Sequence, residues 1–88
     1  LETTEEKKYI EKLVEDNFRL SYYIAKKMNT LPIPYEERVS ICQFYLYKSA
    51  TNFKEEKGFK FATYAVKAMK NGLLQTLRKQ RVETISYD

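Results

Sequence analysis

The chain has 88 residues, 43% hydrophobic and 15% aromatic, with only two Gly and two Pro. That suits one small core and too few turns for a sandwich or barrel, so composition predicts an all-α, compact bundle of three to four helices. A single Cys, no His and no apolar run of about 20 residues exclude an internal disulfide, the usual acid–base pairings and a membrane-spanning helix. With no signal-peptide pattern either, the chain reads as cytoplasmic, and its start at Leu1 rather than Met suggests a piece of something longer.

Thr3 and Glu6 have capping-box spacing, and acids crowd the turn that follows, as a helix dipole favours. Ile10, Leu13, Val14, Asn17, Ser21, Ile24, Ala25 and Met28 then recur at helical spacing. They predict one long helix, or two nearly continuous ones, from about Thr4 to Asn29, with Asn17 marking a bend or a buried polar contact. Asn29-Thr30-Leu31-Pro32-Ile33-Pro34 is a clear break, and Pro34 suits the start of a second helix because its missing N–H costs nothing there.

The second helix should run from about Tyr35 to Thr51 and bury Val39, Cys42, Leu46 and Ala50. It also carries Ile41, Phe44, Tyr45 and Tyr47, more apolar surface than one face can hide, so part of it should meet a partner. After a charged connection containing Gly58, a third helix is expected from about Ala62 to Gln80. Its inward stripe would be Ala65, Met69, Gly72 or Leu73, Thr76 and Leu77; its opposite stripe would be Lys67, Lys70, Asn71, Leu74, Gln75 and Arg78. Residues 1–81 then form the single domain, and residues 82–88 an extended polar tail or the start of a linker.

Charge is divided unevenly. Residues 1–16 hold three lysines against six acids, whereas residues 57–81 hold seven cations and no acid. A polyanion would meet the later segment and be repelled by the first, although a solvated basic face has the same composition.

Catalysis finds little to work with. The adjacent pairs Glu36/Glu37 and Glu55/Glu56 do not converge as metal ligands, and no Gly-rich phosphate loop is present, so no enzyme activity, metal or other cofactor is expected. Binding is better supported. Phe59, Phe61 and Tyr64 lie among Lys57, Lys60, Lys67 and Lys70, and cations neutralise phosphates while aromatic faces stack on unpaired bases. That combination favours opened nucleic acid over a closed duplex, with Phe61 equally placed to join the core. Asn71 and Gln75, four apart, carry amides able to pair with base edges.

Several segments resemble, in order, the central domain of the sigma-70 family of bacterial RNA polymerase sigma factors. Asn17-Phe18-Arg19-Leu20-Ser21-Tyr22-Tyr23-Ile24-Ala25 is similar to N-L-R-L-V-x-x-I-A, and Pro34-Tyr35-Glu36-Glu37-Arg38-Val39 to P-x-E-D-L-I. Lys48-Ser49-Ala50-Thr51-Asn52-Phe53 resembles K-A-V-x-x-F. The sharpest likeness is Glu56-Lys57-Gly58-Phe59-Lys60-Phe61-Ala62-Thr63-Tyr64-Ala65 to x-x-G-x-K-F-S-T-Y-A, and residues 84–88 resemble I-S-L-D.

The resemblance implies a promoter-melting domain working in the bacterial cytoplasm or nucleoid, with two binding surfaces. The second helix would dock on the clamp coiled coil of the largest subunit of core RNA polymerase through Glu36, Glu37, Ser40, Ile41, Gln43, Phe44 and Tyr47. Lys57, Phe59, Lys60, Phe61, Thr63 and Tyr64 match the motif that melts the minus-ten promoter element and holds its non-template strand. Asn71, Leu74 and Gln75 match positions facing its upstream edge, with Lys67, Lys70 and Arg78 as further DNA contacts.

The departures are informative. Lys67 and Ala68 occupy the positions of a Trp pair in housekeeping members, which resembles alternative factors that demand closer promoter matches. Ile41 stands where an acid is usual, and Cys42 and Tyr45 where small Gly residues are usual. A divergent sigma-like regulatory or interaction module, of phage or plasmid type or half of a split factor, is therefore the alternative function. There the Ile41/Phe44/Tyr45 surface would bind a different protein; an anti-sigma factor is a further candidate partner. A plain bundle with a basic face would bind no nucleic acid.

Overall fold

The computed structural model describes residues 4–53 and 60–87, with side chains as far as Lys79. Within them lie four helices: α1 (Thr4–Asp16), α2 (Phe18–Lys27), α3 (Tyr35–Asn52) and α4 (Phe61–Tyr87). Thr3, half of the expected capping box, lies outside the described residues.

Asn17 divides α1 from α2. Its backbone, at φ −118° and ψ 12°, leaves the helical well. Its side-chain Nδ2 donates to the Leu13 carbonyl at 2.9 Å, so the amide serves a carbonyl at the end of α1. The stripe expected along this pair is the one that faces inward: Ile10, Ser21, Ile24 and Ala25 are buried, and Leu13, Val14 and Met28 pack at the margin. Helix α2 ends with Lys26 and Lys27 in its last turn, where the carbonyl end of the dipole favours cations.

The following loop contributes to the core. Ile33, between two prolines in the break between helices, is buried. Pro34 is the N-cap of α3, and Glu36 and Glu37 occupy the first turn. Arg38, one turn in, is also buried. Its Nε donates to the Ala25 carbonyl at 2.7 Å and its Nη1 to the Ile33 carbonyl at 2.6 Å, and the guanidinium lies 5.6 Å from the Tyr35 ring. One side chain thus ties the end of α2 and its loop to α3, satisfying carbonyls that would otherwise be orphaned.

Helix α3 packs against all three others, most extensively against α4. Cys42, Leu46 and Ala50 from α3 meet Ala65, Met69 and Leu73 from α4 in one cluster with Ile24 and Ala25. Each large side chain buried this way contributes roughly 1.5–3 kcal/mol, which is why the apolar stripe rather than helix propensity decides the packing. Ser49 and Thr76 donate to carbonyls one turn back, of Tyr45 at 2.7 Å and of Gly72 at 2.9 Å, and among the described residues no buried side-chain polar atom lacks a partner.

The end of the chain differs from the extended tail expected after Arg81. Helix α4 continues to Tyr87. Residues 81–87 contain neither Gly nor Pro, so nothing in the local chemistry stops the backbone ladder.

Candidate nucleic-acid interface

The outward stripe of α4 lies where its period placed it. Thr63, Tyr64, Lys67, Asn71, Leu74, Gln75 and Arg78 are exposed, and Lys70 is half-buried. Lys60, just before the helix, is exposed as well. Lys57 and Phe59 lie outside the described residues.

Phe61 takes the core place that its spacing left open beside a DNA contact: its ring is buried, packed edge-on against Phe53 with centroids 5.3 Å apart. Phe53 in turn backs Tyr64, with centroids 6.0 Å apart and planes inclined by 37°. The three rings run from the core to the surface, and Tyr64, 37% exposed, presents the outer one. A ring supported from behind loses little freedom when a planar ligand stacks on its free side.

Beside Tyr64, α3 and α4 enclose an open cleft of about 380 Å³, lined by Tyr45, Lys48, Asn52, Tyr64, Asn71 and Gln75 among others. A second hollow of about 540 Å³ is lined by Thr63, Tyr64, Lys67, Ala68 and Asn71. Tyr64, Ala68 and Asn71 line both, and the small Ala68 side chain leaves room that a tryptophan there would fill. Among the described residues no carboxylate lines either space, while Lys48, Lys67 and Arg78 do. Aromatic rings, amides and cations without acids suit a nucleobase on its phosphate backbone.

Lys48, Asn52 and Phe53 were not foreseen as part of this surface. Lys48 and Asn52, four apart on α3, share the face turned to α4, a signal visible only once the partner helix is known.

On α3, Glu36, Glu37 and Ser40 are exposed, Phe44 and Tyr47 are 60% and 49% exposed, and Gln43 and Ile41 are half-buried. Tyr45 does not belong to that face. Its ring packs over Gly72 of α4, so the apolar surface left for a partner is smaller than composition suggested. Cys42 is fully buried, and burial pushes its thiol up to about 11 against an opposing pull from Arg38. Among the described residues no group of three His, Cys, Asp or Glu converges to hold a metal, and no helix is long and apolar enough to cross a membrane.

The family described as Sigma-70 region 2 matches residues 13–83. The chain is similar to RNA polymerase sigma-E factor of Clostridium acetobutylicum, 34% identical over 67 residues, covering 76% of this chain and 28% of that protein. RNA polymerase sigma-28 factor of Bacillus thuringiensis is 33% identical over 89 residues, covering 89% and 38%. RNA polymerase sigma factor RpoD of Helicobacter pylori is 32% identical over 69 residues, covering 78% and 10%. The matched region spans well under half of each of these relatives. With the family pattern running through α2, α3 and α4 in register, the chain belongs to the sigma-70 family, as a region 2 domain.

Proposed function

We propose that this domain serves transcription initiation by recognising the minus-ten promoter element, opening it and holding its non-template strand, while α3 docks on core RNA polymerase. The observation that carries this reading is Tyr64, exposed and backed by Phe53, standing between two spaces lined by Lys48, Lys67 and Arg78 and, among the described residues, by no carboxylate. An unstacked base needs an aromatic surface and its phosphates need cations, and both are present at one place. Lys57, Phe59, Lys60 and Thr63 extend the strand-binding surface; Asn71, Leu74 and Gln75 face the duplex edge, with Lys70 and Arg78 on the backbone. Phe61 supports the site from the core.

Polymerase docking falls to Glu36, Glu37, Ser40, Gln43, Phe44 and Tyr47, with Ile41 contributing only its exposed part. With Lys67 and Ala68 at the positions of the Trp pair, the domain suits a specialised factor that relies on base capture at Tyr64 rather than on a large aromatic wedge.

The test is binding to a single strand carrying the non-template minus-ten sequence, against a scrambled strand, at two salt concentrations. Preference for the minus-ten strand, with affinity falling as salt rises, is expected. Equal binding to both strands contradicts sequence recognition. Co-purification with core polymerase tests the α3 face; stable capture of a different protein without polymerase would favour a divergent interaction module.

A further inference from the structure

Tyr45 lies on the side of α3 that meets α4, and its contacts there are specific. Its ring lies over Gly72 so closely that a Cβ at that position would overlap it, so the ring's place depends on the absence of a side chain. Phe44 packs edge-on against the same ring at 5.1 Å and 89°, and the Lys48 ammonium lies 5.8 Å from its centroid. A ring held by backbone beneath and two neighbours beside it carries its hydroxyl to a fixed place. That place is next to Gln75: Tyr45 Oη lies 3.4 Å from Gln75 Oε1, positioned to donate to it.

The consequence concerns how the Gln75 amide is presented. A phenol is a better donor than acceptor, so the hydroxyl draws the carbonyl end of the amide toward α3 and leaves the Nε2 donors turned outward. Base edges in the major groove offer acceptors at purine N7, guanine O6 and thymine O4 and donors at adenine N6 and cytosine N4, and an amide biased to donate favours the acceptors where a freely turning amide can pair with either. The geometry points to Tyr45 as a positioning residue: reaching across Gly72, it orients Gln75 and so sets base preference at the upstream edge of the bound DNA. This rests on the reading of α4 as the promoter-facing helix. Nothing in the spacing of either helix signals it, because Tyr45 and Gln75 are 30 residues apart.

The probe is a fork-junction DNA, duplex at the upstream edge and single-stranded through the minus-ten element, made with each of the four base pairs at the edge. Wild-type protein is expected to prefer one pair. Tyr45→Phe keeps the ring and removes the hydroxyl; it should reduce that preference by roughly two- to ten-fold, the range for one hydrogen bond, a larger change than in the affinity for a single strand lacking the duplex edge. Gln75→Ala should lose the preference, and Tyr45→Phe added to it should change nothing further.

Full preference in Tyr45→Phe alongside its loss in Gln75→Ala would overturn the proposal. An equal weakening on every DNA, single strand included, would overturn it too, since the hydroxyl would then be a direct contact. Absence of any edge preference in the wild type would remove Gln75's role itself, and the proposal with it; that failure appears before any substitution is made.

Discussion

Arg38 and Tyr45 lie two turns apart on α3, and both are large residues where the family pattern has Leu and Gly. Arg38 is buried, and its guanidinium serves the carbonyls of Ala25 and Ile33, so it closes the α2 end of the core. Tyr45 is half-buried at the rim of the α3/α4 cleft, and its excess bulk is accommodated by Gly72. Like departures in sequence therefore have unlike consequences. One is absorbed into stability and the other reshapes the surface proposed to meet DNA.

The contrast can be broken from the Arg38 side first. Arg38→Leu leaves two buried carbonyls without donors and should cost roughly 2–4 kcal/mol, seen as a lower urea midpoint at unchanged slope. Where the variant is still folded, strand binding should match wild type; a loss there would place Arg38 in the functional surface after all.

Tyr64→Ala makes the opposite statement. It should weaken binding of the minus-ten strand by roughly 1–3 kcal/mol, the worth of one stacked base, while the urea midpoint hardly moves. A large fall in stability would make Tyr64 a core residue like Phe61.

Gly72→Ala sharpens the Tyr45 side through a change of sign. In wild type the new methyl displaces the Tyr45 ring, and the substitution should be neutral to destabilising by about 1 kcal/mol. In a Tyr45→Ala background the clash is gone and helix propensity remains, so the same change should stabilise by roughly 0.5–1 kcal/mol. Equal effects in both backgrounds would mean that the two positions are not coupled.

The pH dependence belongs to Cys42, which lies between the two. Its folded thiol titrates near 11 against an ordinary value near 9. The neutral form is thus favoured by folding: the contribution is whole below about pH 9 and is lost as pH rises toward 11. Urea midpoints at pH 8 and pH 11 should fall further for wild type than for Cys42→Ala. Identical falls would show that the thiol is not held neutral by the fold.

Much of this was legible in the chain, and the misses share a cause. Ile10, Ile24, Cys42, Leu46, Ala65, Met69 and Leu73 lie inward because period 3.6 reports a helix face without reference to its partner. Asn17 signalled its break because a polar residue on an apolar stripe needs a local partner. Arg38 gave no such sign: a charged residue in a helix's second turn usually faces water, and its acceptors belong to another helix and a loop. Phe61 and Tyr64, three apart on one helix, both touch Phe53, yet one ring is buried and the other exposed, a difference that spacing does not carry. The pairing of Tyr45 with Gly72 is a relation between two helices, which no single stripe contains. Most of the site residues are legible through the family resemblance; Lys48, Asn52 and Phe53 join them only through the packing of α3 on α4.

The central claim is that a DNA strand binds in the α3/α4 cleft beside Tyr64. A backbone amide NMR titration with the single-stranded minus-ten sequence tests it most directly. The account predicts the largest shifts at Lys48, Asn52, Tyr64, Lys67 and Ala68, with α1 unmoved. Shifts concentrated on α1 and α2, or none at strand concentrations that saturate binding by other measures, would contradict it.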